Sequence, residues 1–326
     1  MSKPYVVLIV VLLLTFFLRV YPLGGLSKQS QDPELEQIAS TFVPLRNSLS
    51  DKIGELLPVP QSALLSGMLL GVQSELPADF KNSLRKTSTI HIVVVSGQNL
   101  TLVAGFIMSF APFLGRKKTL IVALFVSIFY SFLTGLQVPI IRAAIMVLFA
   151  MLAQAFNREN QSPRILILTA TLMLIFNPNW LYSVSFQLSF LATAGVVILS
   201  PELVKKFTIV PTILRQDLAV SIAATSLTWP VIAANFHNVS IIGVFVNSLV
   251  LWTVSFIMIS GALALIVGFL NLFLGQIAML FAGVLLTYFV YIISFFGNLP
   301  LASVYIGKIS PLVWIGYYFI VLSIFL

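Results

Sequence analysis

Long apolar stretches, separated by short polar clusters, run through most of the chain. Between Leu218 and Gly307 there is no Lys, Arg, Asp or Glu, and between Thr119 and Asn157 the sole charge is Arg142. A membrane-crossing helix needs roughly 20 apolar residues, so each of these stretches is long enough for more than one crossing. The pattern therefore indicates that lipid is the main solvent of this chain.

The apolar stretches predict an all-α fold, a polytopic transmembrane helix bundle with about nine to ten spans. A first, uncleaved helix is expected within residues 1–26, where Lys3 precedes an apolar run and no convincing small-residue cleavage site follows. The remaining spans belong to a predicted membrane domain, residues 87–326. They are expected at about 88–115, 118–136, 139–157, 164–180, 183–200, 216–234, 241–268, 272–296 and 310–326.

Residues 27–86 differ in composition from the rest of the chain. They hold seven of the ten acidic residues, interleaved with basic ones. The stretch is too short for a sizeable separate domain. We expect short amphipathic helices on the outer membrane face, which serve partly as a linker.

Composition and charge placement agree with a membrane protein. Apolar residues make up 59% and charged residues 9% of the 326 residues, whereas a soluble domain carries about 25% charged residues. The net charge of +8 comes largely from clusters that set orientation. If the N-terminus is cytoplasmic, three basic clusters all fall on the cytoplasmic side of the membrane: 116–118, 158–164 and 205–215. The absence of cysteine excludes disulfides and thiolate metal sites.

The span predicted at 88–115 contains a polar cluster, Ser96, Gly97, Gln98 and Asn99, after a β-branched run. Polar, helix-breaking backbone at membrane depth occurs where it is buried in protein or lines water. One interpretation is a broken or re-entrant helix near Ser96–Asn99 that faces a pathway. The other is a bent helix with Ser96 and Gly97 at a helix–helix contact.

Arg142 is a charged residue inside a predicted span, shortly after Pro139. Such a guanidinium is costly unless it is paired or hydrated, and it marks a functional site by default. It could instead reach the outer interface through its long side chain. Carbonyls, amides or a passing anion are its expected partners.

Two further polar positions lie in apolar helices. Gln187 and Ser189 form part of a polar seam that could line a pore or hydrogen-bond a neighbouring helix. Asn247 lies in a later span, after an outer loop that contains His237.

Motifs for enzymatic chemistry are missing. No metalloprotease, P-loop or dinucleotide-binding motif occurs, and the two histidines lie far from each other. A dyad of Ser96 with His91 is unfavourable, because residues five apart do not face each other on a regular helix. We expect no enzyme activity, no catalytic residue, no metal and no cofactor.

Several blocks of the chain, in order, resemble the ComEC family of competence proteins. They lie at 63–71, 87–97, 135–146, 177–190 and 236–247. The resemblance implies an inner-membrane channel that imports one strand of transforming DNA in bacterial natural competence. The residues that match its motifs are His91, Ser96, Gly97, Arg142, Gln187, Ser189 and Asn247. We expect these residues, together with the amides of Gln98 and Asn99, along the substrate path.

The resemblance also has departures. The family often has His at the position of Asn99. Its outer oligonucleotide-fold domain and its nuclease domain are not expected in this chain, which implies a separate nuclease, a DNA receptor and a cytoplasmic motor as partners. A homodimer is one way to build a pore of sufficient width.

The basic residues that precede His91 allow two interpretations. Lys81, Arg85 and Lys86 could form an entry collar for DNA. They could equally belong to an amphipathic helix that lies on anionic headgroups of the lipid bilayer.

Two other functions compete with the DNA channel. A secondary transporter or flippase for a small anionic solute or lipid would share the broken helix and the arginine. An intramembrane hydrolase is disfavoured, because no base pairs convincingly with a nucleophile.

Overall fold

The computed structural model describes residues 33–155, 162–208, 210–300, 302–307 and 311–325. These residues form α-helices joined by short turns, and the predicted helix at 1–26 with Lys3 lies outside them. The helices up to the first long gap are α1 (Pro33–Ser40), α2 (Val43–Leu56), α3 (Gln61–Leu70), α4 (Ala78–Lys86), α5 (Ile90–Val93), α6 (Gly97–Met108), α7 (Ala111–Leu114), α8 (Arg116–Leu133) and α9 (Val138–Ala155).

The later elements complete the chain order. They are α10 (Ser162–Phe176), a 3₁₀ turn (Pro178–Tyr182), α11 (Val184–Ala194), a π turn (Gly195–Leu199), α12 (Ser200–Lys206), α13 (Thr212–Phe236), β1 (Asn238–Ser240), α14 (Gly243–Leu270), α15 (Leu272–Gly297), β2 (Ser303–Tyr305) and α16 (Pro311–Phe325). The two three-residue strands pair with each other in a small sheet.

The described residues divide into two compact units. Unit A comprises residues 33–155 and 240–302, and unit B comprises residues 162–239 and 303–325. The composition of the sequence set residues 27–86 apart from the membrane domain. In the structure, residues 33–86 belong to the same compact unit as α14 and α15.

Within the residues that the structure describes, four helical segments are long and apolar enough to cross a membrane: Val184–Lys206, Arg215–Phe236, Gly243–Leu270 and Leu272–Gly297. The helices Gln61–Leu70, Val138–Gln154 and Ser162–Phe176 are apolar but shorter. Large apolar side chains on α15 such as Phe273, Leu280 and Val284 are more than half exposed, which is the surface that lipid covers in a membrane protein. The predicted all-α, multi-pass membrane fold is confirmed.

The break in the helix that follows residue 88 is also confirmed. Helix α5 ends at Val93, and Val94 and Ser96 have extended backbone, with ψ of 126° and 164°. Helix α6 then begins at Gly97, so Gln98 and Asn99 lie in its first turn. Successive β-branched valines favour extended over helical backbone, which accounts for the position of the break.

Helix α3 is the main difference from the pattern expected for residues 27–86. Every residue from Ser62 to Leu70 is buried, and Leu64, Leu65 and Met68 belong to the core of unit A together with residues of α14 and α15. The helix carries no charge, so all of its faces can pack. Burying each Leu or Met side chain contributes roughly 1.5–3 kcal/mol. Residues 33–86 therefore supply part of the core.

Helix α13 of unit B contains Pro230. Proline lacks an N–H, so the carbonyl of Ser226 loses its helical hydrogen bond. The Tyr317 hydroxyl of α16 donates to this carbonyl at 3.0 Å, and the Tyr318 hydroxyl donates to Leu227 O at 3.0 Å. A neighbouring helix thus satisfies the backbone that proline frees, as transmembrane helices require.

Candidate functional site

Arg142 lies in the first turns of α9, and its side chain is only 8% exposed. Its guanidinium lies against Gly97, the first residue of α6. A Cβ atom at position 97 would overlap Arg142 Nη2 and would lie 3.0 Å from Ala143 Cβ. A larger residue at position 97 would force the guanidinium to move, so the structure brings together two residues predicted to share a path.

The electrostatics of this contact favour an anion. The first N–H groups of a helix carry the positive end of the helix dipole, and Arg142 adds a full positive charge beside them. Ser96 precedes α6 without capping it, because its hydroxyl donates to Asn99 Oδ1 at 3.1 Å. A helix N-terminus beside a buried guanidinium is the arrangement that binds phosphate or carboxylate groups.

Asn99 connects α6 to α3. Its side chain is 1% exposed, and Nδ2 donates to Met68 O at 2.9 Å. The hydroxyl of Tyr130 in α8 donates to the same carbonyl at 3.4 Å. Helix α3 ends at Gly71 in the left-handed conformation, so its last carbonyls need partners from outside the helix. Asn99 supplies one of them. Gln98 beside it is exposed.

His91 and Ser96 form no dyad. His91 is exposed, and its Nδ1 lies 2.8 Å from Ser88 O. The hydroxyl of Ser96 is engaged with Asn99. The hydrogen bonds of these two side chains thus go to other residues, on opposite sides of the break between α5 and α6.

Asn247 lies in the second turn of α14, close to the segment that carries His91. The first residue of α14, Gly243, packs against Ser88, whose Cβ would lie 2.8 Å from an added Cβ. Asn247 is 6% exposed, and its Oδ1 has no hydrogen-bond partner within the part of the chain that the structure describes. His91 and the start of α14 therefore occupy the same region of unit A.

Gln187 and Ser189 belong to α11 of unit B, and both are buried. Gln187 Nε2 donates to Leu181 O at 2.9 Å, so the side chain folds back over the 3₁₀ turn. The backbone carbonyl of Ser189 accepts from the Thr193 hydroxyl at 2.9 Å.

The predicted collar residues lie on α4. Arg85 and Lys86 are exposed, and Lys81 is partly exposed. The opposite face of the helix is buried, and Ser83 packs closely against Gly297 of α15. The three cations therefore project from a helix that is anchored to unit A.

Arg46 was not singled out from the sequence. Its Nε donates to Leu133 O, the end of α8, at 2.7 Å, and Gly135 packs against its guanidinium. Partial burial lowers the pKa of Arg46, but a guanidinium stays charged at neutral pH. Arg46 thus holds the turn that leads into α9.

Metal ligation has little support among the residues that the structure describes. They contain no group of three or more His, Cys, Asp or Glu residues that could hold a metal ion.

Comparison with known proteins identifies the family. The model of the family described as Competence protein matches residues 68–326. The chain belongs to the competence protein family. The match confirms the resemblance seen in the sequence. The matched residues include the break between α5 and α6, Arg142, and the polar residues of α11 and α14.

Several relatives of this competence protein are known. ComE operon protein 3 of Bacillus subtilis (strain 168) is 27% identical over 234 residues, which are 71% of this chain and 30% of that protein. The uncharacterized protein YcaI of Escherichia coli (strain K12) is 28% identical over 65% of this chain and 30% of its own length. An uncharacterized protein of Aquifex aeolicus (strain VF5) is 34% identical over 49% of this chain and 37% of its own length.

The chain thus covers about a third of the length of these relatives. No solved structure matches it.

Proposed function

We propose that this protein is an inner-membrane channel subunit through which single-stranded transforming DNA enters the cytoplasm during natural competence. The observation that carries the proposal is the contact between Arg142 and Gly97 at the N-terminus of α6. Membership of the competence protein family supports the same substrate.

The contact between Arg142 and the N-terminus of α6 suits a phosphate group that moves through the channel and is not held there. The guanidinium and the positive end of the helix dipole repel each other, and an anion that lies beside both offsets that repulsion. A conduit has to release what it binds, so a few cationic groups at one narrow place serve it better than an extended basic groove. The phosphates of a single strand would meet Arg142 one after another.

The exposed cations of α4 support the approach of DNA. Lys81, Arg85 and Lys86 raise the local concentration of a polyanion and make its association depend on salt. In this proposal they form the entry collar, and His91, Gln98 and Asn247 line the path in unit A.

The proposed role assigns no catalytic residue and no cofactor to this chain. A separate nuclease, a DNA receptor and a cytoplasmic motor supply the single strand and its movement. A homodimer is the proposed way to widen the pore.

The decisive experiment replaces Arg142 in the natural host. Arg142→Ala should lower the entry of labelled DNA into the cytoplasm by roughly thirtyfold or more, because a buried charge contact is worth about 2–5 kcal/mol. DNA bound outside the cell and the amount of the protein in the membrane should not change. Arg116→Ala, at the exposed start of α8, is the matched control and should transform normally.

Two outcomes argue against the DNA channel. Normal uptake in Arg142→Ala cells removes this residue from the path. Unchanged transformation after deletion of the gene, together with lost transport of a small anion or lipid, favours the transporter or flippase.

A further inference from the structure

A second polar cluster lies in unit B, where the 3₁₀ turn meets α11. Its members, Trp180, Ser183 and Gln187, are 5%, 1% and 3% exposed. Trp180 Nε1, Ser183 Oγ and Gln187 Oε1 are all buried, and none has a hydrogen-bond partner among the described residues. Buried polar groups in folded proteins are nearly always hydrogen-bonded, so three unmet groups within eight residues need an explanation.

Backbone hydrogen bonds hold the three residues in consecutive turns. Ser183 has extended backbone and joins the 3₁₀ turn to α11. The backbone bonds Ser183 N to Trp180 O and Gln187 N to Ser183 O, at 2.9 and 3.0 Å, show that both turns are formed.

The free atoms have defined donor and acceptor roles. Gln187 Nε2 donates to the carbonyl of Leu181, which can only accept, so Oε1 is the atom left over. The indole N–H of Trp180 can only donate. Ser183 is the residue before α11 but does not cap the helix, so its hydroxyl is available as donor or acceptor.

This mixture of roles distinguishes between classes of ligand. A phosphate only accepts, and the carbonyl oxygen of Gln187 would repel it. The Oδ1 atom of Asn179, which is also buried without a described partner, would repel it as well. The edge of a nucleobase presents donors and acceptors side by side, as the amide and indole groups here require. The indole ring also provides a surface on which a base can stack.

We propose that Trp180, Ser183 and Gln187 form a binding site for a nucleobase of the single strand. The inference rests on the proposed function and adds a contact to the bases, whereas Arg142 contacts phosphates. The three atoms are closed to water in this conformation, so a base reaches them when the 3₁₀ turn moves away from α11.

The test compares two oligonucleotides that carry the same phosphates. The purified full chain, in lipid nanodiscs at one fixed salt concentration, is titrated with a fluorescent thymine 20-mer and with an abasic 20-mer. The wild type should bind the thymine strand about tenfold more tightly, the ratio that one well-matched base contact produces. Gln187→Met and Ser183→Ala should reduce this ratio to about one and leave the affinity for the abasic strand unchanged.

The control variant is Ser185→Ala, on an exposed position of the same helix, and it should keep the full ratio. Equal affinity of the wild type for both strands would overturn the base site and leave the phosphate path intact. An unchanged ratio of the two affinities in both Gln187→Met and Ser183→Ala would also overturn the base site. Failure of the wild type to bind either strand would instead contradict the proposed DNA channel itself.

Discussion

Units A and B each bury polar side chains in apolar helices, but the two sets differ in charge. Unit A places the guanidinium of Arg142 against the N-terminus of α6. Unit B buries the neutral groups of Trp180, Ser183 and Gln187 around the start of α11. A charge in a low-dielectric site attracts any anion over a distance, whereas neutral hydrogen-bonding groups select by geometry at contact.

In the proposed DNA channel, the two sets of polar groups would supply two different properties. A charged constriction acts on every phosphate and gives no sequence preference. A cluster of uncharged hydrogen-bond donors and acceptors binds only a chemical group whose own donors and acceptors match it. Substitutions at the Arg142 contact in unit A should alter the passage of every strand. Substitutions at the cluster of unit B should alter the part of the binding affinity that comes from the bases.

After Arg142→Ala itself, the largest effect is expected at Gly97. Gly97→Ala adds a Cβ that overlaps Arg142 Nη2, so the guanidinium has to move. Transformation should fall about tenfold or more, since displacement of a buried charge contact costs at least about 1.4 kcal/mol. In an Arg142→Ala background the same change should cost less, because only the approach to Ala143 Cβ at 3.0 Å remains, and a double-mutant cycle measures the difference.

Gly105→Ala is the matched control for Gly97→Ala. It lies in the same helix, α6, and a Cβ there meets no atom within 4 Å. Equal losses in the two glycine variants, or additive losses with Arg142→Ala, would show that Gly97 acts through helix stability and not through the arginine.

An intermediate effect is expected at Asn99, as a change in stability. Asn99→Leu removes the donor to Met68 O at the end of α3. A buried carbonyl left without its partner costs about 1–3 kcal/mol. Thermal unfolding in detergent should show this loss, while Gln98→Leu at the exposed neighbouring position should unfold like the wild type. Wild-type stability of Asn99→Leu together with lost DNA uptake would place Asn99 in the path instead.

The smallest effect is expected at Tyr317 of unit B. Tyr317→Phe removes the hydrogen bond to Ser226 O, and its cost should be about 1 kcal/mol. Pro230→Ala restores a helical N–H for that carbonyl, so Tyr317→Phe should cost less in the Pro230→Ala background. Tyr305→Phe, at an exposed tyrosine, is the control. Identical costs of Tyr317→Phe in both backgrounds would rule out this role.

Sequence reasoning predicted the helices of the membrane domain because continuous apolar runs with few charges allow little else. It also predicted the break before α6, since valine repeats and a Ser-Gly pair disfavour a regular helix. It did not predict the burial of α3. That helix is only ten residues long, and a short apolar run does not reveal what it packs against.

The candidate site was predicted in part. Arg142 and Gly97 were identified separately, but their direct contact depends on α6 and α9 meeting in space. Asn99 was predicted as a path residue, and its hydrogen bond to α3 shows a packing role that spacing could not indicate. Arg46 was overlooked because one cation in a mixed-charge segment has no distinguishing pattern.

The sequence by itself determined that this chain is a multi-pass helical membrane protein of the competence family, because hydropathy and ordered motifs are properties of the linear chain. Only the tertiary structure decided which polar groups meet. Arg142 faces Gly97 and Asn99 binds the end of α3 through contacts between residues that are 45 and 31 positions apart. Such contacts follow from the packing of whole helices, and no local pattern specifies them.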